Sequence, residues 1–349
     1  MIKPGVDTIA TPEATTSAVP MQSVRAGILA QHPTEVRLFV LLIALVVLFL
    51  FAMGRKFVGG ENLASMAFQL PILGILALAM MVSLIHGGVN LSIISTANVS
   101  ALTMAYLLPR AGSEASGFIL AAWVGIAIMA GLAVSIAIGF LNGVVIAYIG
   151  VSPILTTLGT MILLEGLAMG MTHGTIISGF SAPIRLIGSG SVLGIPVAMF
   201  LLLACLITVA IILSGTPFGA SMYLMGSNEK ATQYSGINTR AVILGIYVMS
   251  SVLSALAGLV MLSQFNSASA TYGESYLLVS VLAAILGGTD PFGGSGKVSG
   301  LVLSILILQV VASAFNQMEL SQFLTLAMWG LILIVVGGVT YLQGYRTLR

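Results

Sequence analysis

The chain has 349 residues, of which 58% are hydrophobic and only 6% are charged, and its mean hydropathy is +1.13. A soluble domain usually carries about 25% charged residues, so this composition excludes a soluble enzyme and predicts an all-α integral membrane protein. The net charge of +2 gives no indication of a nucleic-acid partner. Cys205 is the only cysteine, so no disulfide or metal-ligand set is expected, and no cofactor.

The chain divides by composition into two tails and one apolar domain. Residues 1–36 are polar and rich in Thr, Ala and Pro, and the first apolar run begins near Leu38, too far from Met1 for a secretory signal peptide. We expect residues 1–36 to form a polar cytoplasmic tail, residues 37–343 a transmembrane domain, and residues 344–349 a short cytoplasmic tail.

Ten apolar runs predict about ten transmembrane helices, because a helix needs about 20 apolar residues to cross the hydrocarbon core. The runs cover residues 38–53, 64–85, 91–108, 118–147, 154–171, 197–213, 241–262, 276–286, 299–314 and 323–341. The run 276–286 is short and ends in glycines, which predicts a broken helix. None of these runs has the alternating pattern of a transmembrane β-strand.

The distribution of Lys and Arg predicts that both termini are cytoplasmic. With the N-terminus inside, that side holds Lys3, Arg25, Arg37, Lys230, Arg240, Lys297, Arg346 and Arg349. The other side holds only Arg55, Lys56, Arg110 and Arg185.

The first irregular stretch is 86–92, where an apolar helix breaks at Gly87 and Gly88 and restarts. Irregular backbone at membrane depth survives only inside protein or beside a water-filled path. The next residues put hydroxyls on one helical face, with two amides nearby. The set comprises Asn90, Ser92, Ser95, Thr96, Asn98, Ser100 and Thr103. These groups either line a path for a polyhydroxylated solute or bond their own backbone and neighbouring helices; both interpretations stay open.

The second irregular stretch is 287–297, which contains Gly287, Gly288, Gly293 and Gly294. It superficially resembles a phosphate-binding loop, but that motif needs Gly at position 291 and Ser or Thr at position 298, where this chain has Pro and Val. ATP hydrolysis by that route is therefore excluded. The two glycine breaks indicate either a weak internal duplication or simple turns.

Two features of the predicted spans stand out. Glu165 is the only acid deep in a span, and an intramembrane carboxylate is expected to be functional. Ion-coupled transport through Glu165 and a structural pairing both remain open.

Small residues recur every four positions at Gly131, Ser135, Gly139 and Gly143, which predicts close packing against another helix.

The loop 214–240 contains a short sequence typical of a helix. Ser227 or Asn228 can cap its start, Glu229 falls in its first turn, and Gly236 can end it. Such a short helix needs packing from elsewhere, so it is either a handle for another subunit or an ordinary connection. The candidate coupling residues are Ser227, Asn228, Glu229, Lys230, Ala231, Thr232, Tyr234 and Gly236.

Several of these stretches resemble the permease subunit of bacterial ATP-binding cassette importers of the ribose and simple-sugar family. Gly87-Gly88-Val89-Asn90-Leu91-Ser92 is similar to that family's Gly-Gly-Ile-Asp-Leu-Ser signature. Further similar stretches follow in the family's order at 142–143, 156–159, 166–168, 177–179, 226–231, 235–238, 283–289 and 293–296. Asn90 departs from the family's Asp, and Glu165 stands where a basic or neutral residue is expected.

The resemblance implies a permease in the bacterial inner membrane that performs no chemistry itself. Its implied partners are a second permease subunit, identical or related, two cytoplasmic ATPase subunits that grip 227–236, and a periplasmic solute-binding protein. The implied solute is a sugar, a polyol or a sugar-like signal. An ion-coupled secondary transporter that uses Glu165 is the main rival, and a membrane enzyme is a third class, for which the spans offer few catalytic groups.

Overall fold

The computed structural model describes residues 33–108, 117–180 and 182–347. Internal contacts divide the chain into the units Met1–Pro33 and Thr34–Arg349, and the architecture below is that of the second unit. Most of the predicted N-terminal tail, together with Lys3, Arg25, Arg110 and Arg349, lies outside the described residues.

The described part of the chain is mostly helical. Its helices are α1 (Pro33–Met53), α2 (Gly60–Leu84), α3 (Ile93–Leu107), α4 (Phe118–Val144), α5 (Pro153–Thr172), α6 (Ala182–Ser189), α7 (Val197–Gly215), α8 (Pro217–Ser227), α9 (Glu229–Tyr234), α10 (Thr239–Phe265), α11 (Tyr276–Leu286), α12 (Val298–Gln317) and α13 (Gln322–Thr347). A 3-10 turn, Gly54–Lys56, follows α1, and a π-helical turn, Val145–Ile149, extends α4.

Four two-residue strands form two small antiparallel pairs. Strand β1 (Ile177–Ser178) pairs with β4 (Ser267–Ala268), with Ile177 opposite Ala268. Strand β2 (Ser191–Val192) pairs with β3 (Ile195–Pro196) in a tight hairpin. The β1–β4 pair joins the loop after α5 to the loop after α10, so it ties two distant connections together.

Seven helical segments of the described chain are long and apolar enough to cross a membrane. They are Thr34–Lys56, Gly60–Leu84, Phe118–Ile149, Pro153–Thr172, Val197–Gly215, Thr239–Phe265 and Val298–Gln317. Three shorter apolar helices, Ile93–Leu107, Tyr276–Leu286 and Phe323–Gly338, coincide with the remaining predicted runs. The prediction of an all-α membrane protein is confirmed at this level.

The core is built around α10 and α2. Helix α10 packs most extensively against α4, α2 and α3, and α2 is buried continuously from Leu70 to Leu84. Helix α1 is peripheral, since only 6% of its apolar window is buried. Its inner side meets a small cluster around Phe57, Val310 and Ala314. The broad apolar faces that remain exposed on α5, α7 and α13 are those expected to contact lipid.

The observed helix ends differ from the predicted ones where turns intervene. Helix α3 starts at Ile93 because 90–92 form a turn, and α2 starts at Gly60 rather than at residue 64. The first helix begins at Pro33, inside the predicted tail 1–36, and the last extends to Thr347, inside the predicted tail 344–349. The predicted loop 214–240 holds a helix, α8, in addition to the short α9.

Candidate functional site

The two glycine breaks predicted from the sequence meet in space. The backbone N–H of Gly294 donates to the carbonyl of Ile85 at 2.8 Å. Gly87 has a φ of +85°, and a Cβ built there would lie 2.9 Å from the carbonyl oxygen of Phe292. The break between α2 and α3 therefore packs backbone to backbone against the loop between α11 and α12, which fits glycine and excludes larger residues.

The end of α8 reaches the same point. A Cβ on Gly226 would collide with the Ile85 carbonyl and the Gly294 amide, and a Cβ on Gly293 would lie 2.7 Å from the Gly87 amide. The hydroxyl of Tyr223 also donates to the carbonyl of Gly296 at 2.7 Å. We refer to Gly87, Gly226, Gly293 and Gly294 as the glycine junction. It joins both helix breaks to the segment that leads into α9.

Helix α9 leaves the glycine junction and projects its side chains outward. Asn228 caps its N-terminus, with the side-chain oxygen accepting from the Ala231 amide at 3.0 Å. Tyr234, at the helix C-terminus, is 91% exposed. Of the eight candidate coupling residues, only Thr232 is buried, and Ser227, Asn228, Glu229, Lys230, Ala231, Tyr234 and Gly236 are exposed. Ser227 ends α8 rather than capping α9.

The first helix break is fixed by a buried polar network. Asn90 is fully buried, and its amide donates to the hydroxyl of Ser250 on α10 at 2.9 Å. The side-chain oxygen of Asn90 accepts from the backbone amide of Ser92 at 3.1 Å and from its hydroxyl at 2.7 Å. Ser250 in turn donates to the carbonyl of Ala79 on α2 at 2.9 Å. Asn90 therefore uses both halves of its amide, and a carboxylate could supply only the accepting half.

The same network continues into α4 and α5. The amide of Asn142 donates to the hydroxyl of Ser92 at 3.0 Å and accepts from Thr160 at 2.6 Å. The hydroxyl of Thr157 accepts from the amide of Leu91 at 3.1 Å, and it shares its one proton between the carbonyls of Pro153 at 2.8 Å and Val89 at 3.1 Å. These bonds satisfy backbone groups that the break removes from helical pairing, which is a requirement at membrane depth.

The other predicted path residues of α3 also face protein. Asn98 donates to the carbonyls of Ala270 and Tyr272, both at 2.9 Å, and Ser100 donates to the carbonyl of Gly131 at 2.8 Å. Ser95 donates to the carbonyl of Ser92, the residue that precedes α3, at 3.1 Å. Thr96 is buried, and its hydroxyl has no hydrogen-bond partner among the described residues.

Thr103 and Glu165 are the two predicted path residues that stay partly exposed. Thr103 lines a largely apolar cavity of about 580 Å³ between α3 and α5, next to Tyr106 and Met171. Glu165 lies on α5, and the charged group acting on it is another acid, Glu274 of the loop before α11. No basic side chain of the described ranges pairs with Glu165. The assignment of the eight residues to a path stays a prediction.

Thr160 and Ser250 are network residues for which the local sequence gives no signal. Each lies on a long apolar helix, where a lone hydroxyl commonly bonds its own backbone. Asn142 and Thr157 lie in stretches that carry the family resemblance, and a buried amide in an apolar helix is a signal that could have identified Asn142. No group of metal-ligating side chains occurs among the residues that the structure describes.

Comparison with known proteins adds evidence independent of this geometry. Residues 62–337 match the model of a family described as branched-chain amino acid transport system, permease component. The chain is 33% identical over 305 residues to the ribose import permease protein of Haemophilus influenzae, covering 86% of this chain and 91% of the relative.

Two further relatives carry other names. The L-arabinose transport system permease protein of Escherichia coli is 30% identical over 273 residues, covering 78% of this chain and 80% of the relative. The autoinducer 2 import system permease protein of Salmonella typhi is 30% identical over 270 residues, covering 76% and 78%. A search of the solved structures gives no significant match.

Proposed function

Because the chain belongs to the family of permease components that this model describes, we propose that it forms the membrane path of an ATP-binding cassette importer for a sugar or a sugar-like solute. The observation that carries the proposal is similarity along most of the chain to permeases for ribose, arabinose and autoinducer 2. The resemblance inferred from the motifs is thereby confirmed. Nothing in the comparisons supports the ion-coupled alternative through Glu165.

In this proposal the energy comes from cytoplasmic ATPase subunits that bind α9. The exposed Tyr234 supports this role, since exposed aromatic residues commonly anchor protein interfaces. The exposed Glu229 and Lys230 offer charges of both signs for orientation. The glycine junction supports it further, because a displacement of α9 is passed directly to both helix breaks.

The proposal extends to the other parts of such an assembly. The permease pairs with a second permease subunit, identical or related, and receives its solute from a periplasmic binding protein. Ten helices cross the bacterial inner membrane, the seven long segments and the three shorter ones, with both termini in the cytoplasm. The eight residues of α3, its preceding turn and α5 that carry polar groups contribute to the path when the subunits change state.

The test is affinity purification of the full chain in mild detergent, followed by identification and quantification of the bound proteins. The expected result is an ATPase with a complete phosphate-binding loop. Tyr234→Ala combined with Glu229→Ala should reduce its recovery at least about tenfold, as expected for the loss of an interface anchor of about 2 kcal/mol.

A matched control is Lys56→Ala combined with Glu61→Ala, which removes two exposed charges at the opposite end of α2. This control should leave ATPase recovery unchanged. Equal recovery from the two double variants would argue against α9 as the docking element. Solute uptake into liposomes by the chain alone, without ATP, would overturn the importer proposal.

A further inference from the structure

The glycine-rich loop between α11 and α12 contains a tight turn with an exposed aromatic side chain. Asp290, Pro291 and Gly293 occupy its first, second and fourth positions, which are the positions that these residue types prefer in a turn. The amide of Gly293 donates to the carbonyl of Asp290 at 3.0 Å, and the amide of Phe292 donates to Asp290 Oδ1 at 2.9 Å. Phe292, at the third position, is 81% exposed.

The backbone of the turn 290–293 is fixed from outside as well as from within. A Cβ built at Gly87 would lie 2.9 Å from the carbonyl oxygen of Phe292, so the turn rests directly on the first helix break. The next residue, Gly294, donates its amide to the carbonyl of Ile85 at 2.8 Å. Backbone contacts therefore set the position of Phe292, and a partner that covers its ring has no loop to order at an entropic cost.

The turn 290–293 lies beside the segment that leads into α9. A Cβ built at Gly293 would lie 3.0 Å from the Cα of Gly226, and one built at Gly294 would lie 2.7 Å from the hydroxyl oxygen of Ser227. Ser227 is only two residues before the start of α9. Phe292 and α9 therefore lie on the same side of the membrane, whichever way the chain crosses it.

Two exposed aromatic side chains thus belong to neighbouring segments. A single exposed apolar residue is ordinary on a protein surface, but Tyr234 on α9 is 91% exposed as well. Aromatic residues are enriched at protein interfaces, and a ring such as that of Phe292 can bury about 150–250 Å². The pair therefore favours a protein that covers both segments.

The residues around Phe292 favour a protein partner over the lipid surface. Glu229 and Lys230 at the start of α9 are exposed, and so are Asp290 and Ser295 on the loop. Charged side chains are costly to place in hydrocarbon, whereas an apolar anchor with a polar rim is typical of a protein interface.

We propose that Phe292 is a second anchor for the ATPase subunit, so that one partner covers α9 and the turn 290–293 together. This inference rests on the proposed function and extends the docking surface beyond residues 227–236. The contact has a mechanical consequence, because the carbonyl of Phe292 lies against Gly87. An ATPase bound to Phe292 acts on the first helix break directly, in addition to acting through α9.

The test is affinity purification of the full chain in mild detergent, with quantification of the bound ATPase. Phe292→Ala should reduce ATPase recovery about tenfold, as expected for the loss of an interface anchor. Thermal unfolding of the variant should be unchanged, since the side chain is exposed.

Phe323→Ala is the matched control for this measurement. Phe323 is 87% exposed and lies at the start of α13. The 20 residues of α12 separate it from the glycine-rich loop, a distance of about 30 Å. The control should leave ATPase recovery unchanged, and equal recovery from Phe292→Ala and Phe323→Ala would overturn the proposal.

Photo-cross-linking identifies what covers Phe292. Cys205 is the only cysteine and is buried, so Phe292→Cys in a Cys205→Ala background gives one site for a benzophenone maleimide. Illumination of the complex in liposomes should join the permease to the ATPase. A product joined only to lipid would assign Phe292 to the membrane surface and overturn the proposal.

The α9 variant separates this inference from the proposed function. If Tyr234→Ala combined with Glu229→Ala reduces ATPase recovery and Phe292→Ala does not, docking on α9 stands and the second anchor is refuted. If the unchanged chain recovers no ATPase at all, the importer proposal and the second anchor both fail.

Discussion

Replacing Gly139 with alanine tests whether the stripe of small residues on α4 is required for packing. A Cβ at this position would lie 2.7 Å from both the carbonyl oxygen of Tyr247 and the Cα of Val248 on α10. Ordinary contacts begin at 3.4 Å, so these backbone atoms must retreat by 3.4 − 2.7 = 0.7 Å. Overpacking of this kind costs about 1–3 kcal/mol, and the upper end applies because backbone atoms cannot rotate away.

The helix propensity of alanine offsets about 1 kcal/mol of this cost, so the expected net loss of stability is about 2 kcal/mol. Gly125→Ala is the matched control on the same helix, because a Cβ there meets nothing within 4 Å. It should be neutral or stabilising by up to about 1 kcal/mol. Denaturant-induced unfolding in detergent, monitored by circular dichroism, measures both variants. Equal shifts for Gly139→Ala and Gly125→Ala would refute the assignment of this contact.

Three other variants test the buried network, the intramembrane acid and the coupling helix. Asn142→Leu removes the hydrogen-bond partner of the buried Thr160 hydroxyl, whereas the Ser92 hydroxyl keeps its bond to Asn90, so the change should cost about 1–3 kcal/mol in the same unfolding assay. Glu165→Gln should leave ATP-dependent uptake by the reconstituted importer unchanged, and loss of uptake would restore the carboxylate as a functional group. Asn228→Ala removes the N-cap of α9, which contributes about 1 kcal/mol, and should reduce ATPase recovery about fivefold without changing global stability.

The membrane spans are the part of the fold that the sequence predicts best. The bilayer requires about 20 apolar residues whatever the tertiary contacts, so hydropathy alone locates most helices. The predicted run 276–286 coincides at both ends with α11. Helix α8, Pro217–Ser227, was not predicted, because a helix of 11 residues has little intrinsic stability and depends on packing. The hairpin around Leu193 and Gly194 was not predicted either, because its two strands have only two residues each.

The sequence predicts which residues of the candidate site are polar, but not what their side chains contact. A helical wheel places the hydroxyls of α3 on one face, but it carries no information about what they face. The structure gives six of the eight predicted path residues buried positions, with Thr103 and Glu165 partly exposed. Likewise, the glycines at Gly87 and Gly293 indicate irregular backbone, but their mutual contact joins segments about 200 residues apart and no local pattern encodes it.

The burial of the network constrains how the permease moves. Asn90 holds the first helix break to α2 and α10, and Asn142 holds it to α4 and α5. Separating these helices would orphan several buried polar groups, each at a cost of about 1–3 kcal/mol. The break is therefore part of a rigid body rather than a flexible joint.

The glycine junction fixes α8 and α9 to the same body through the Ile85–Gly294 and Tyr223–Gly296 hydrogen bonds. A force on α9 therefore moves the bundle around α10 as a unit. In the importer proposed above, the path would then open at the edges of this bundle, where it would contact a second permease subunit.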